Sequence, residues 1–395
     1  MSVDPDWANL PPELLDSIAK KLRIHKDYVR FRAVCASWRG SALKTPTHLP
    51  CQFPWLMLSQ RQSSRLGFFS PLDNRFHFLI LPEASNRRRR CGSSHGWLVI
   101  LDESPSVFIV NPLTRAKLNL PPLSQFPNVL DFNFYNVGRE YTLRSEGEIH
   151  TCSLKEMRDT FIKKVVLSGN PLLQPDFTAM AILNQTGDLA YCKNGENSWN
   201  LIDDARSFCE DVIYSDGLFY AVNKFGSIVV CDVNSDSPSP RVSFIDTPLQ
   251  TGGDMQYLVK VDDGFLLVTR YLELDVDIQN HRLDIVYKTV EFRVFRLDLS
   301  GEKWERVTSL EDRVLFLGEN SSLALSTSDF PGFKGNKIYF TDDYSEMNYE
   351  GANADHDVGI YNMEDGSFSE FPCYPRNPHS VLCWPPPIWI TPNPC

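Results

Sequence analysis

A strand-turn-strand pattern recurs along the chain after Pro50 and restricts the fold more than any other feature. FIVNPLTRAKLNLP and VGIYNMEDGSFSEFP share an isoleucine, an asparagine and a proline at one constant offset, and related hairpins occur at VVCDVNSDSPSPRVSFIDTP and FRLDLSGEKWERV. The anchoring residues are Asn111, Asp232, Asp298 and Asn362, at separations of 121, 66 and 64 residues. These separations indicate a unit of about 60 residues with one degenerate copy.

The same region has the residue pattern of an all-β domain. Short runs rich in β-branched and aromatic residues, among them FHFLIL, WLVIL, SIVVCDV and KIYFT, alternate with turn residues. Radial repetition of small antiparallel sheets is a β-propeller, and we predict one with about six or seven blades. A β-sandwich or a pair of β-domains is the competing architecture. The sequence leaves the blade number open, because it has no WD dipeptide and no recurring double glycine.

The first 50 residues differ from this body and predict helices. Apolar residues follow Pro11 and Pro12 at spacings of three and four and form one stripe, namely Leu14, Leu15, Ile18, Ala19 and Leu22. Asp27 is expected to cap a second helix, with Phe31, Val34, Cys35, Trp38 and Ala42 on one face. So small a unit cannot bury both stripes against each other, which leaves part of the apolar surface for a partner.

The net charge of −11 is distributed unevenly. Residues 1–50 carry eight basic and five acidic side chains, so the head has a net charge of +3 and the remainder −14. An acidic body argues against general nucleic-acid binding, and a basic head suggests an acidic protein partner.

Composition also bears on the cellular compartment. The ten cysteines are scattered without a CxxC pair, in a chain of 395 residues that is large enough to fold without disulfides. The start MSVDPDWANL lacks the basic and apolar regions of a secretory signal, and no apolar run approaches the length of a membrane span. We therefore expect reduced thiols, no membrane partner, and a location in the nucleus, the cytoplasm or both.

Two motifs suggest chemistry and are interpreted as ordinary loops. GSSHG matches a serine nucleophile pattern at Ser94, but that pattern needs a strand before the serine and a helix after it. Here a polar run precedes Ser94 and the strand-like WLVIL follows, so we expect a loop before a strand that starts near Trp97. The acidic stretch TDDYSEMNYEGANADHDVG lacks the alternation of a calcium loop and is expected to be a solvated connection.

Two further segments each allow more than one interpretation. The run Arg87 to Arg90 is a candidate nuclear import patch or anion site, and a solvated loop is the favoured interpretation. WPPPIWI near the C-terminus is a candidate polyproline ligand, but its large apolar residues favour an edge strand that closes the last blade. No metal, nucleotide or dinucleotide motif is present, so we predict no catalytic residues, no cofactor and no metal site.

DWANLPPELLDSIAKKL followed by YVRFRAVCASWRGSA resembles the F-box. SLEDRVLFLGENSSLALSTSDFPGFKGNKIYFTDDY and WPPPIWITPNP resemble the C-terminal signature of plant F-box proteins with a KIB-type β-propeller. The resemblance implies an all-α F-box head at residues 1–48 and a substrate-recruiting propeller at residues 49–395. It also implies a non-catalytic substrate-recognition subunit of a Skp-cullin-F-box (SCF) ubiquitin ligase, with cullin and RING subunits joined through a Skp-type adaptor and an unknown protein as substrate.

The family pattern is carried onto this sequence residue by residue. The adaptor contacts that it predicts are Leu10, Pro11, Leu14, Leu15, Ile18, Val34 and Trp38, with Phe31 and Cys35 as candidates for the interior of the head. Ala36 departs from the pattern, since the family often has a lysine or arginine there.

Two functions of different classes compete with this one. A helix-turn-helix DNA reader would present polar and basic residues on its recognition helix, whereas here the best-formed face is apolar. A propeller enzyme, or a protein that binds a small molecule or a glycan, would need titratable groups that converge in the channel, and the sequence shows no such set.

Overall fold

The structure is a computed structural model, and most of the chain is described in it. The described residues are 7–44, 46, 48–58, 65–85, 87–145, 147–184, 186–234, 239–245, 247–248, 250, 252–262, 264–279, 282–298, 303–330, 332–344, 356–373 and 384–393. The fold is mostly β, with several four-stranded antiparallel sheets. In this part of the chain, no helix is long and apolar enough to cross a membrane.

The described residues of the N-terminal head form three short helices, α1 (Pro12–Lys21), α2 (His25–Ala33) and α3 (Ala36–Gly40), after a 3-10 turn at Trp7–Asn9. Pro12 occupies the first turn of α1, as predicted, because its missing N–H has no partner at that position in any helix. The predicted second helix is wrong in two respects. It starts at His25 rather than after a cap at Asp27, and it is interrupted at Cys35, whose extended backbone (φ −160°, ψ 178°) separates α2 from α3.

The strands of the body follow in chain order, and we number the larger sheets 1 to 6. Sheet 1 begins with β1 (Trp55–Met57), β2 (Arg65–Ser70) and β3 (Arg75–Ile80). Sheet 2 contains β4 (Arg89–Ser94), β5 (Trp97–Leu101), β6 (Val107–Val110) and β7 (Lys117–Leu120). An inserted three-stranded sheet follows, with β8 (Val129–Phe132), β9 (Tyr141–Ser145) and β10 (Glu148–Cys152), and then α4 (Leu154–Thr160).

The second half of the body repeats this pattern. Sheet 3 contains β11 (Ile162–Leu167), β12 (Thr178–Leu183), β13 (Leu189–Lys193) and β14 (Asn200–Leu201). Sheet 4 contains β15 (Asp211–Ser215), β16 (Leu218–Val222), β17 (Ile228–Asp232) and β18 (Arg241–Ile245). Sheet 5 contains β19 (Met255–Val261), β20 (Gly264–Gln279), β21 (Arg282–Asp298) and β22 (Lys303–Val307).

Sheet 6 departs from the simple meander. Its strands are β23 (Arg313–Leu317), β24 (Leu323–Ser326), β25 (Lys337–Phe340), β26 (Gly359–Asn362) and β27 (Phe368–Ser369), in the order β24-β23-β25-β26-β27 with β23 and β25 parallel. The last strand, β28 (Ile388–Ile390), pairs with β1 and completes sheet 1. Short 3-10 turns occur at Pro82–Ala84, Leu123–Gln125 and Thr327–Asp329.

Hydrophobic cores between the sheets connect them into a ring. Each pair of neighbouring sheets shares one buried cluster, represented by Phe68 with Leu98, Val99 with Val165, Met180 with Val212, Ile213 with Leu258, Val259 with Leu315, and Phe316 with Leu56. The inserted sheet adds Tyr141 and Leu143 to the cluster between sheets 2 and 3. A closed ring of small sheets is consistent with a β-propeller, and the described sheets give it six sectors.

The inner edge strands of neighbouring sheets approach one another closely around the ring axis. At Gly92 in β4, a Cβ atom would lie 2.1 Å from the main-chain oxygen of Val165 in β11, so only glycine permits this approach. The IWI part of the C-terminal WPPPIWI segment is an edge strand, as predicted, but it pairs with β1 and completes sheet 1 rather than the last sheet, and so joins the two ends of the ring.

The repeated hairpin anchors occupy equivalent positions. Asn111 follows β6, while Asp232, Asp298 and Asn362 end β17, β21 and β26. The Asn111 side-chain oxygen accepts hydrogen bonds from the backbone N–H groups of Leu113 and Thr114. Asp232 and Asn362 likewise accept a bond from the backbone two residues ahead. The sequence repeat is thus a repeated side-chain-capped turn at the outer end of a blade.

Candidate functional site

The helical head has a small core of its own. Leu15, Ala19, Tyr28, Phe31 and Ala42 are buried together, with Leu10, Leu22, Trp38 and Leu49 packed against them. The Trp38 ring packs on Phe31 with centroids 4.5 Å apart, and its indole N–H donates a 2.9 Å hydrogen bond to the main-chain oxygen of Trp7. These contacts fix the directions in which the remaining side chains of the head project.

The residues predicted to contact an adaptor fall into two groups. Leu14, Ile18 and Val34 have 52%, 39% and 59% of their surface exposed, and Pro11 is also exposed. Leu15, by contrast, is 0% exposed. Leu10 and Trp38 are half-buried against the same core, Cys35 is half-buried too, and Phe31 is buried within the core. The structure therefore separates a surface group on α1 and at the end of α2 from an internal group that supports it.

The leucine pair shows this separation most clearly. Leu14 and Leu15 are adjacent on α1, so their side chains point about 100° apart around the helix axis. Leu15 faces α2 and α3 within the head core, and Leu14 faces outward. A partner can contact Leu14 directly. It can contact Leu15 only if the helices of the head rearrange and expose that side chain.

Gln52 joins the head to the ring and was not singled out by the sequence. Its side-chain oxygen accepts a 2.8 Å hydrogen bond from the backbone N–H of His25, and its amide nitrogen donates to the main-chain oxygens of Arg23 (3.0 Å) and Pro50 (2.7 Å). The residue is buried, so these bonds are poorly replaced by water. A glutamine in a linker has no sequence signature, so the sequence does not reveal this role. Its position shortly after the head helices is the one hint.

Two ion pairs accompany Gln52. Arg23 contacts Asp329 at 2.8 Å, and Lys26 contacts Asp73, in the turn between β2 and β3, at 2.6 Å. Partial burial raises the pKa of Asp73, but hydrogen bonds from Lys26 and Ser70 and the charge of Lys26 outweigh it, so the pKa of this carboxyl lies below its ordinary value. We call Gln52 and these two ion pairs the clasp.

The run Arg87 to Arg90 is only in part the solvated loop that the sequence predicts, since Arg87 is exposed in a turn but the second half of the run is buried. Arg89 and Arg90 belong to β4 and are buried near the ring axis. Arg89 donates a 3.0 Å hydrogen bond to Glu319, and burial lowers the pKa of Arg90 to about 10, which still leaves it charged at neutral pH. Buried side chains cannot present a nuclear import signal, so that interpretation fails for these two residues.

A second buried ion pair lies near the first. Lys164 of β11 donates to Asp211 of β15 at 2.6 Å and to the main-chain oxygen of Gly318 at 3.1 Å. Asp211 also accepts bonds from Ser322 and from the backbone of Leu258. The interior of the ring is therefore polar and internally satisfied here, which is how buried charges are normally retained.

The acidic stretch of residues 341–359 is also different from its prediction. Arg270 of β20, which is buried, donates to Asp343 at 3.0 Å and to Asp357 at 2.9 Å. Asp342 accepts bonds from the Tyr287 hydroxyl at 2.7 and 2.8 Å. The described part of the stretch is thus an internal brace that fastens the long β20–β21 hairpin. Glu346, Glu350 and Asp355 lie outside the described residues.

Ser94 lies in a β-hairpin, not at a strand-to-helix turn. β5 begins at Trp97 as predicted, but β4 precedes the turn where a loop was expected. The Ser94 hydroxyl oxygen accepts a 3.0 Å hydrogen bond from the backbone N–H of Leu167, so it connects β4 to β11. Among the described residues, no group of three His, Cys, Asp or Glu side chains is placed to hold a metal ion.

Comparison with known proteins agrees with this architecture. The family model described as the KIB1-4 beta-propeller matches residues 68–362. The F-box protein SKIP23 of Arabidopsis thaliana is 30% identical over 98% of this chain and 96% of its own length. The F-box protein At2g17036 of the same plant is 26% identical over 98% of this chain and 95% of its own length.

These matches include both the helical head and the ring, since each relative aligns with nearly the whole chain. They confirm the resemblance that the two ends of the sequence suggest. The chain belongs to the KIB1-4 beta-propeller family of plant F-box proteins.

Proposed function

We propose that this chain is the substrate-recognition subunit of an SCF-type ubiquitin ligase. In this proposal residues 1–48 form the F-box and dock on a Skp-type adaptor, which brings the cullin and RING subunits. Residues 49–395 form the propeller and bind a protein substrate. The observation that carries the proposal is the exposed apolar group Leu14, Ile18 and Val34 on a separately cored helical head.

The exposed group offers apolar anchors for docking. Complete burial of a side chain of this size contributes about 1.5–3 kcal/mol before the cost of ordering the partners, and Leu14, Ile18 and Val34 each have roughly half of their surface left to bury. A few anchors of this kind can dominate an interface, because hot spots rather than total area determine affinity. Leu15, Leu10 and Trp38 take part by holding the helices that present these anchors.

The proposed role needs no catalytic group from this chain. A scaffold that holds a substrate near a ubiquitin-charged enzyme raises the local concentration of the substrate's lysines, which is an entropic contribution to rate. The clasp supports this role, because a fixed head would hold the propeller in one orientation relative to the adaptor.

The test is direct binding of the purified full chain to a purified Skp-type adaptor. We expect Leu14→Asp, Ile18→Asp and Val34→Asp each to weaken binding by about tenfold to a hundredfold, since each places a charge in an apolar contact. Leu130→Asp is the matched control, because Leu130 is an exposed leucine of the inserted sheet. Failure of the unaltered chain to bind, or equal loss in the control, would overturn the proposal.

A further inference from the structure

A cavity of about 560 Å³ lies where the head and linker cover one end of the ring. His25 of α2 and Leu49 to Gln52 of the linker line one side. All six sheets contribute to the other side, represented by Ser93, Leu167, Ile213, Lys260, Ala324 and Trp389. Because every sheet contributes, the cavity is centred on the ring axis, and a volume of this size suits a small organic molecule.

The described lining of the cavity contains a basic residue but no acidic one. No described lining residue is acidic, although the chain contains 50 aspartates and glutamates. Lys260 is the lining lysine, and its ammonium lies 3.3 Å from Asp216, a side chain that is 73% exposed. An exposed ion pair of this kind is weak, so Lys260 remains able to pair with another anion. The cavity therefore disfavours cations and accepts one negative charge.

The rest of the lining combines apolar side chains with serines, histidines and other neutral polar groups. Leu49, Leu173, Leu323 and several prolines surround the polar groups. We propose that this cavity binds a small amphipathic organic anion, with an apolar body against these side chains and one negative charge facing Lys260. The proposal concerns a site that the docking function does not use, so it stands or falls separately from adaptor binding.

Occupancy also has a structural consequence. Since the lining comes from both the head and the ring, a bound molecule stabilises the contact between them by mass action. Amide hydrogen exchange should therefore slow in residues 48–54, 93–95, 320–324 and 389–393. This readout locates the ligand, which fluorescence alone does not do.

The test uses two probes with similar rings and different charge. They are 8-anilinonaphthalene-1-sulfonate, a monoanion, and N-phenyl-1-naphthylamine, which is neutral. We expect the full chain to bind about one equivalent of the anion, and Lys260→Met to weaken it about fivefold to tenfold without affecting the neutral probe. Lys337→Met is the control, because Lys337 begins β25 and does not line the cavity.

Ser321→Trp provides a second, independent variant. Ser321 is half-buried and lines the cavity, so an indole there fills space that either probe would occupy, and both should lose binding. Adaptor binding measured on the same variant should remain unchanged.

Three results would overturn the proposal. The first is full binding of the anion by Ser321→Trp. The second is exchange protection at β3, where Phe76 and Phe78 are exposed, instead of at the cavity. The third is equal affinity for the two probes, which would show that the cavity does not select a negatively charged ligand.

Discussion

Leu56 and Trp389 lie directly opposite each other in the antiparallel pairing of β1 with β28, although they come from opposite ends of the ring-forming sequence. Trp389 is buried, and its ring contacts those of Phe316, Tyr339 and Phe371. The closure of the ring thus depends on one short strand with a large apolar anchor.

Removing this anchor should loosen the whole ring. We expect Trp389→Ala to lower the free energy of unfolding by about 3–5 kcal/mol, because the change deletes a fully buried indole and leaves a cavity. Denaturant unfolding followed by circular dichroism measures the loss. Trp7→Ala is the control, since Trp7 is mostly exposed, and a similar loss in both variants would contradict the assigned role of Trp389.

The two adjacent leucines of α1 should respond in opposite ways. Leu15→Ala is expected to destabilise the head by about 2–5 kcal/mol, seen as faster amide exchange in α1 and α2, because Leu15 is buried in the head core. Leu14→Ala should leave that exchange unchanged and weaken adaptor binding about tenfold. Equal exchange in the two variants would contradict the burial pattern.

Gln52→Ala should release the head without unfolding the ring. The change leaves the His25 N–H and the Arg23 carbonyl without their partner, at a cost of about 1–3 kcal/mol. We expect faster proteolysis between the head and β1, with the melting of the ring unchanged. Gln125→Ala, an exposed glutamine in a 3-10 turn, is the control. An unchanged proteolysis rate would contradict this prediction and would show that the two ion pairs hold the head on the ring without Gln52.

Arg270→Met should be severely destabilising, by about 3–5 kcal/mol, because it leaves Asp343 and Asp357 buried without a cation. Arg293→Met is the matched control, since Arg293 forms a partly exposed pair with Glu291 and its loss should cost less than about 1 kcal/mol. Urea unfolding of both variants checks this difference.

The Arg270→Met deficit should depend on pH. Burial already raises the pKa of Asp343 above its ordinary value of 3.8, and Arg270 opposes that effect. Without the arginine the folded-state pKa rises further, so the folded protein binds the proton more tightly than the unfolded chain. The deficit should shrink as the pH falls towards 4 and grow towards neutrality. A deficit independent of pH would contradict this assignment.

Deleting residues 1–48 should leave a folded ring. The closing pair β1 and β28 and all six inter-sheet cores lie after this segment. We expect a monomeric product with a cooperative melting transition, measured by calorimetry and size-exclusion chromatography. An aggregated product would contradict the division of the chain that we propose.

The repeats were readable from the sequence because they depend on local chemistry. Asn111, Asp232 and Asn362 each cap a turn with their own side chain, so the same residue types recur wherever that turn recurs. The closing strand was readable for a similar reason, since an apolar IWI next to prolines suits a buried sheet edge.

Features that depend on distant partners were not readable. Arg89 has the sequence surroundings of a solvated loop, and only the approach of Glu319 explains its burial. Arg270 has the same relation to Asp343 and Asp357. The cavity could not be predicted either, because residues from six sheets and the linker form it. Leu14 and Leu15 were equivalent by pattern, and only the packing of three helices separates them.

Sheet 1, which combines the first strands of the ring with its last strand, determines when the ring can close during translation. A ribosome exposes the helical head before the strands of the ring, and β28 emerges after the other strands that the structure describes. Because ring closure requires β1 to pair with β28, the ring cannot close until translation has passed Ile390. Under the proposed function, a premature stop codon within the ring would release a polypeptide that still occupies the adaptor but delivers no substrate, so truncated products would act as competitors of the intact protein.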